Sequence, residues 1–186
     1  MLQPTQLCIG LAEMWNRKKE FAIQTTEQRL RYLLKKPVPL IRNKNDQFWM
    51  IDRHHRLRAL IELDKDSQAY GYEVATIDSF KEMDVLNFLE QQGWLYLFDR
   101  RGTGPKSPNK LPSSLLQMED DPYRSLVWKL KKEGYLIVQA QIPFIEFYWA
   151  AWLRTRPLPP FNSKHLEPAL SVARALVTSQ SKSYLK

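Results

Sequence analysis

The chain has 186 residues, 28 Lys and Arg against 20 Asp and Glu, a formal net charge of +8, and 44% hydrophobic and 12% aromatic residues. That apolar load excludes a disordered chain, and the length suffices for one substantial core or for a small core with an appended helical lobe. A single cysteine, Cys8, excludes an internal disulfide framework and a Cys-rich zinc site and fits a reducing, cytoplasmic setting, while the positive balance favours partners that carry phosphate, nucleotide or nucleic acid.

Pro4-Thr5-Gln6 reads as extended, and the start of the chain lacks the basic and apolar runs of a secretory signal. Ile9–Ile23 reads as a helix with Leu11, Met14, Trp15 and Ala22 on a broad apolar face. Thr26 is the expected cap of a second helix that ends near Lys36, where Pro37 and Pro39 stop it. Val38–Ile41 and Phe48–Ile51 read as the two strands of a hairpin, joined by the turn residues Asn43-Lys44-Asn45-Asp46. A helix from His54 to about Leu63 follows, with Leu57, Leu60 and Ile61 facing inward.

Tyr70–Ile77 alternates as a strand does, and Asp78 or Ser79 then caps a helix to about Gln92 that Gly93 ends. Trp94–Phe98 reads as a fourth strand-like run, and Arg100–Ser113 as a basic Gly/Pro loop suited to touching a polyanion. Asp121-Pro122 is a cap with proline at the first helical position of Tyr123–Glu133, and Gly134 ends that helix. Pro143–Arg154 and Leu166–Val177 read as helices, separated by the stiff Pro157-Leu158-Pro159-Pro160, with a frayed tail to Lys186. The apolar stretch Ile142–Leu153 contains Pro143 and Glu146 and falls short of the ~20 residues that span a bilayer, so no membrane partner is expected. The fold class is α+β. A small mixed sheet with helices forms a core over residues 1–99, a basic loop spans 100–114, and a helical C-terminal lobe spans 115–186.

The densest chemistry lies where a strand runs into a helix, at Asp52-Arg53-His54-His55-Arg56-Leu57-Arg58. A helix N-terminus presents unpaired N–H groups and the positive end of a dipole, and guanidiniums and imidazoles placed there make a phosphate site. The candidate phosphate ligands are Asp52, Arg53, His54, His55, Arg56 and Arg58. Asp52 can cap the helix, hold a metal ion or orient a histidine. Adjacent histidines on a helix point about 100° apart, and the remaining His165 lies far along the chain, so no zinc site and no metal-ligating set is expected. Magnesium carried by a nucleotide's phosphates needs only a carboxylate or two and stays open.

Two acidic features stand apart. Glu13 sits on an apolar helix, either as a base with a raised pKa or as an edge residue in solvent. Glu119-Asp120-Asp121 is either a metal corner or a set of acids complementing a helix N-terminus, which the dipole explains fully. Trp128, Phe144, Phe147, Trp149 and Trp152 read as core aromatics.

The junction resembles the signature of the ParB/sulfiredoxin superfamily. In that superfamily ParB proteins carry a Gly-Glu-Arg-Arg version of the turn and sulfiredoxin a Gly-Cys-His-Arg version. The order of Leu2-Gln3-Pro4-Thr5-Gln6, Gly10 with Glu13, Pro37-Val38-Pro39, Gly93–Asp99, Leu111-Pro112, Asp120–Trp128 and Pro143–Phe147 is similar to the bacterial ParB-like nuclease family over nearly the whole chain. The resemblance implies a compact α+β core whose basic turn binds nucleotide or nucleic-acid phosphate. It implies a nuclease or a nucleotide-dependent phosphotransferase, or alternatively a non-catalytic nucleotide- or DNA-binding module. By position it makes His54, His55 and Arg56 phosphate contacts, and Glu13 the counterpart of the base in the family's serine kinases. The proton-moving candidates are therefore Glu13, His54 and His55. Arg53 stands where many relatives have Gly, so a glycine-like backbone there would be strained. The turn lacks sulfiredoxin's cysteine, and the resemblance does not extend to sulfinic-acid reduction.

Overall fold

The computed structural model describes residues 2–136 and 145–183. The protein is α+β, with seven helices and a small mixed sheet among the described residues. It divides into two compact units, one of Met1–Ile9 with Met14–Glu119 and the other of Gly10–Glu13 with Asp120–Lys186. The loop at 100–114 belongs to the first unit.

The first unit is built on four strands: β1 (Leu2–Pro4), β3 (Val38–Asn43), β4 (Phe48–Met50) and β5 (Gly71–Ile77). Their order is β1-β4-β3-β5, with β3 and β4 antiparallel as the expected hairpin and both β1–β4 and β3–β5 parallel. Asn43 makes the hairpin turn. Its buried Oδ1 accepts the N–H groups of Asn45 and Gln47, each at 3.0 Å, and Asp46 takes a positive φ of 55°. A second short strand, β2 (Cys8–Ile9), precedes α1 (Leu11–Ala22). Helix α2 (Thr26–Lys35) starts one residue earlier than Thr26 as cap would allow. Thr25 is the N-cap and closes a capping box with Gln28.

Helix α3 (His54–Leu63) has the expected bounds and buries Leu57, Ala59 and Leu60. Helix α4 (Glu82–Gln91) lays Val85, Leu86 and Leu89 on Ile41 and Trp49 of the sheet. Side chains of this size stabilise by about 1.5–3 kcal/mol each when fully buried, so this contact holds helix to sheet. Neither Asp78 nor Ser79 caps α4. The N-cap is Lys81, and Ser79 Oγ instead accepts the Lys81 N–H at 3.0 Å, forming a local turn ahead of the helix. Gly93 ends the helix region at φ +67° as expected.

Trp94–Phe98 is not a strand. Among the described residues only Tyr96 is bridged, by Gln6, its N–H donating to Thr5 O at 2.9 Å. Leu97 O accepts from Lys106 N at 2.7 Å, so the run is pinned by a loop and by the N-terminal segment rather than by a ladder. Two 3₁₀ turns, Pro108–Lys110 and Leu115–Gln117, lead to β6 (Glu119–Asp120).

The second unit holds α5 (Pro122–Lys132), α6 (Ile145–Arg154) and α7 (Glu167–Ser183). Its core joins Leu126, Val127 and Leu130 to Ala150 and Leu153, and to Ala169, Leu170, Ala173 and Val177. Trp149 and Trp152 pack against that core and Phe147 is buried, as the core reading requires, while Phe144 and the expected helix start at Pro143 lie outside the described residues. Asp121 caps α5 by accepting the Tyr123 N–H at 3.0 Å, with Pro122 in the first turn. No helix among the described residues is long and apolar enough to cross a membrane.

Candidate functional site

The corner between β4 and α3 is set by one residue in a left-handed conformation. Arg53 has φ +79° and ψ +16° and is the N-cap of α3. For a residue with a side chain this conformation costs roughly 1–2 kcal/mol, which is why glycine suits the position. Asp52 offsets the cost from both sides. Its Oδ1 accepts the Arg53 N–H at 2.6 Å, and its Oδ2 pairs with Arg53 Nη1 at 2.6 Å. Asp52 is therefore not the helix cap, because it precedes the cap residue and accepts from that residue's own N–H. Arg53 makes no side-chain hydrogen bond to the first turn, and that turn holds no acid. The positive end of the helix thus has neither a side-chain cap nor a carboxylate from its own first turn.

The two histidines part company. His54 is 2% exposed, and its Nε2 accepts the Thr5 N–H at 3.2 Å. A backbone N–H can only donate, so Nε2 carries the lone pair and the ring proton sits on Nδ1. Thr5 Oγ1 lies 3.5 Å from the same nitrogen and donates to Met50 O at 2.8 Å. Thr5 thereby ties the N-terminal segment to the start of α3 through His54 and to the end of β4 through Met50. His55, next along the helix, is half-buried.

The arginines also divide. Arg58, only 12% exposed, spends its fork on Glu62 (Nε, 3.0 Å) and Met118 O (Nη1, 2.6 Å), tying α3 to the 3₁₀ turn at 115–117. Arg56 donates from Nη1 to Lys36 O at 2.9 Å and lies over the Tyr32 ring, 5.1 Å from its centroid. Burial lowers the Arg56 pKa below the ordinary guanidinium value, the nearby charges of Arg53 and Arg17 lower it further, and Tyr32 opposes them. The group stays cationic at neutral pH, since guanidinium pKa values lie so high. The Nε atoms of Arg53 and Arg56 are buried without a hydrogen-bond partner among the described residues.

Two neighbours of this corner escaped sequence reasoning. Tyr32 of α2 receives Arg56 on its ring and has Arg17 of α1 6.0 Å from the same centroid. Phe21 packs edge-on to Tyr32 with centroids 5.8 Å apart. Helical periodicity puts Arg17 and Phe21 one turn apart on a shared face of α1, but no local pattern places that face against Tyr32 or Arg56.

Glu13 lies in the first turn of α1, half-buried, in the second unit. There its charge complements the helix start. The Glu119-Asp120-Asp121 cluster takes the structural role. Asp120 Oδ1 accepts the Leu11 N–H at 3.0 Å and the Ser163 hydroxyl at 2.8 Å, and Asp121 pairs with Arg154 at 2.7 Å besides capping α5. Among the described residues no three of His, Cys, Asp or Glu gather as a metal set.

Residues 1–155 match the protein family described as "Putative ParB-like nuclease". The crystal structure of protein Atu1540 from Agrobacterium tumefaciens is similar to this chain at 27% identity and a TM-score of 0.80, over 94% of this chain and 86% of that one. No curated protein matches. The fold class and the resemblance read from the sequence are thus both supported.

Proposed function

Because the chain belongs to the ParB-like nuclease family, we propose that its β4–α3 corner binds the phosphate of a nucleotide or nucleic acid. The observation that carries this reading is the start of α3. It has no acid in its first turn and no side-chain cap, and it is flanked by Arg53 and Arg56, whose buried Nε atoms lack partners. A helix start with no acid in its first turn and no side-chain cap, beside two guanidiniums, favours an anion with several acceptor oxygens. His55 completes the set as a phosphate contact and as the residue that moves a proton, in a nuclease or a nucleotide-dependent phosphotransferase. Magnesium carried in on the phosphates would offset their charge. Asp52, its side chain 60% exposed, is a carboxylate at the corner that fits such an ion, at the cost of loosening its pairing with Arg53.

His54 favours a second reading, a non-catalytic binding module. Its Nε2 is occupied by Thr5 and its ring is buried, which leaves one fewer group for acid–base work. One experiment separates the two. Purified protein is titrated with ATP, CTP, ADP and DNA, with and without magnesium, while binding and product are followed. Binding with turnover supports the enzyme, and binding without product under every condition supports the module. If the double substitution His55→Ala, Arg56→Ala leaves all binding intact, the corner is not the site.

A further inference from the structure

We infer that Arg17 and Tyr32 belong to the same anion site, and that the site takes a terminal phosphate group end-on rather than a phosphodiester in mid-strand. This rests on the proposed phosphate-binding role of the corner and names its missing residues and its ligand chemistry.

Arg17 from α1 and Arg56 from α3 approach the ring of Tyr32 from α2, at 6.0 and 5.1 Å from its centroid. Arg53 completes a set of three guanidiniums, and the charges of Arg53 and Arg17 both reach Arg56. Like charges gathered on one aromatic ring repel each other unless something negative sits among them.

Glu20 pairs with Arg17 at 2.6 Å and Asp52 with Arg53 at 2.6 Å. Arg56 has the Lys36 carbonyl and both the ring and the hydroxyl of Tyr32, but no carboxylate partner among the described residues. Glu20 and Asp52 therefore act as stand-ins that a stronger anion displaces.

A guanidinium fork pairs two N–H donors with two oxygens on one phosphorus. A terminal phosphate offers three unesterified oxygens and close to two charges, enough to engage three guanidiniums at once. A mid-strand diester offers two such oxygens and one charge, and its chain must leave in two directions. Three guanidiniums suit the former. A free nucleotide and the 5′-phosphorylated end of a strand both supply that group.

The test is calorimetric titration of the full chain with ATP, with inorganic pyrophosphate, and with one oligonucleotide in 5′-phosphorylated and 5′-hydroxyl forms. The terminal phosphate is expected to raise strand affinity on the order of 10-fold, as one charge-assisted bidentate contact does. Arg17→Ala is expected to weaken ATP and pyrophosphate by a similar factor, and Arg17→Lys, which keeps charge without the fork, by less. Glu20→Gln, which releases Arg17, is expected to tighten both ligands, a change of sign that mere structural damage would not produce. Tyr32→Leu weakens binding more than Tyr32→Phe does, since Phe keeps the ring and loses only the hydroxyl that Arg56 bonds. Strength with ATP but not with the phosphorylated strand identifies the free nucleotide as the source, and the converse identifies the strand end. Equal affinity for the two strand forms, with none for ATP or pyrophosphate, overturns the end-on reading. Loss of binding in Arg56→Ala but not in Arg17→Ala removes Arg17 from the site while leaving the corner in place. Retention in both removes the corner itself.

Discussion

Asp52 grips Arg53 at both ends, one carboxylate oxygen on its backbone N–H and the other on its guanidinium, each at 2.6 Å. The grip keeps an L-residue where glycine would sit without strain. It also sets the guanidinium at the mouth of α3, so a conformational cost is coupled to a charge in a useful place.

Arg53→Gly and Arg53→Ala should therefore differ in stability. Both lose the ion pair, but only Ala retains the positive-φ strain of roughly 1–2 kcal/mol. Part of the advantage of Gly is returned to the flexibility of its unfolded chain, so a net difference of about 0.5–1 kcal/mol in favour of Gly is expected in urea unfolding. Equal midpoints for the two variants would show that the strain is absent. Both should bind phosphate more weakly than the parent.

His54→Ala should destabilise by about 1–3 kcal/mol, because it leaves the buried N–H of Thr5 without its acceptor and opens a void. Chemical denaturation reads this directly. His55→Ala, at the half-buried neighbour, should cost much less stability. Similar losses at the two positions would contradict the assignment of one imidazole to structure and the other to ligand.

Gly10→Ala should cost about 1–3 kcal/mol by overpacking. A Cβ at Gly10 would stand 2.7 Å from Ser125 N and 2.9 Å from Arg124 C, both backbone atoms that cannot swing aside. Thermal unfolding should show the loss, whereas alanine at Gly134, with nothing within 4 Å, meets only the strain of φ +81°.

Acidification should weaken the second unit through Glu133. Hydrogen bonds from Arg174 hold its carboxyl below the ordinary value of 4.5, burial opposes the shift, and Lys129 reinforces it. A depressed folded-state pKa means stability present above the unfolded value and lost as pH falls through the folded one. The stability gap between the parent and Glu133→Gln should therefore be full at neutral pH and close below the ordinary carboxylate range. A gap that widens with acid would reverse the sign of the linkage.

Local chemistry made much of this fold legible. The hairpin around Asn43–Asp46 and the bounds of α3 follow from turn residues and helical periodicity that tertiary contacts reinforce. Trp94–Phe98 misled because its residues are apolar for packing, with Leu97 4% exposed, rather than for strand pairing. The start of α4 misled because Ser79 had a competing use for its hydroxyl. At the corner, positive φ at Arg53 was foreseeable from the glycine of relatives. The Arg17–Tyr32–Arg56 arrangement was not, because it joins three helices that no local pattern connects.

The start of α1 depends on residues made much later. Leu11 and Ala12 donate their N–H groups to Asp120 Oδ1 and Ser125 Oγ, across sequence separations of 109 and 113. On a ribosome adding roughly 5–20 residues per second, that first helix must wait several seconds or more for the side chains that satisfy its leading amides. A nascent chain cut short before Asp120 would carry the whole basic corner yet leave its first helix unfinished. Such a fragment should tend to fray at its leading turn and to engage chaperones until synthesis passes Ser125.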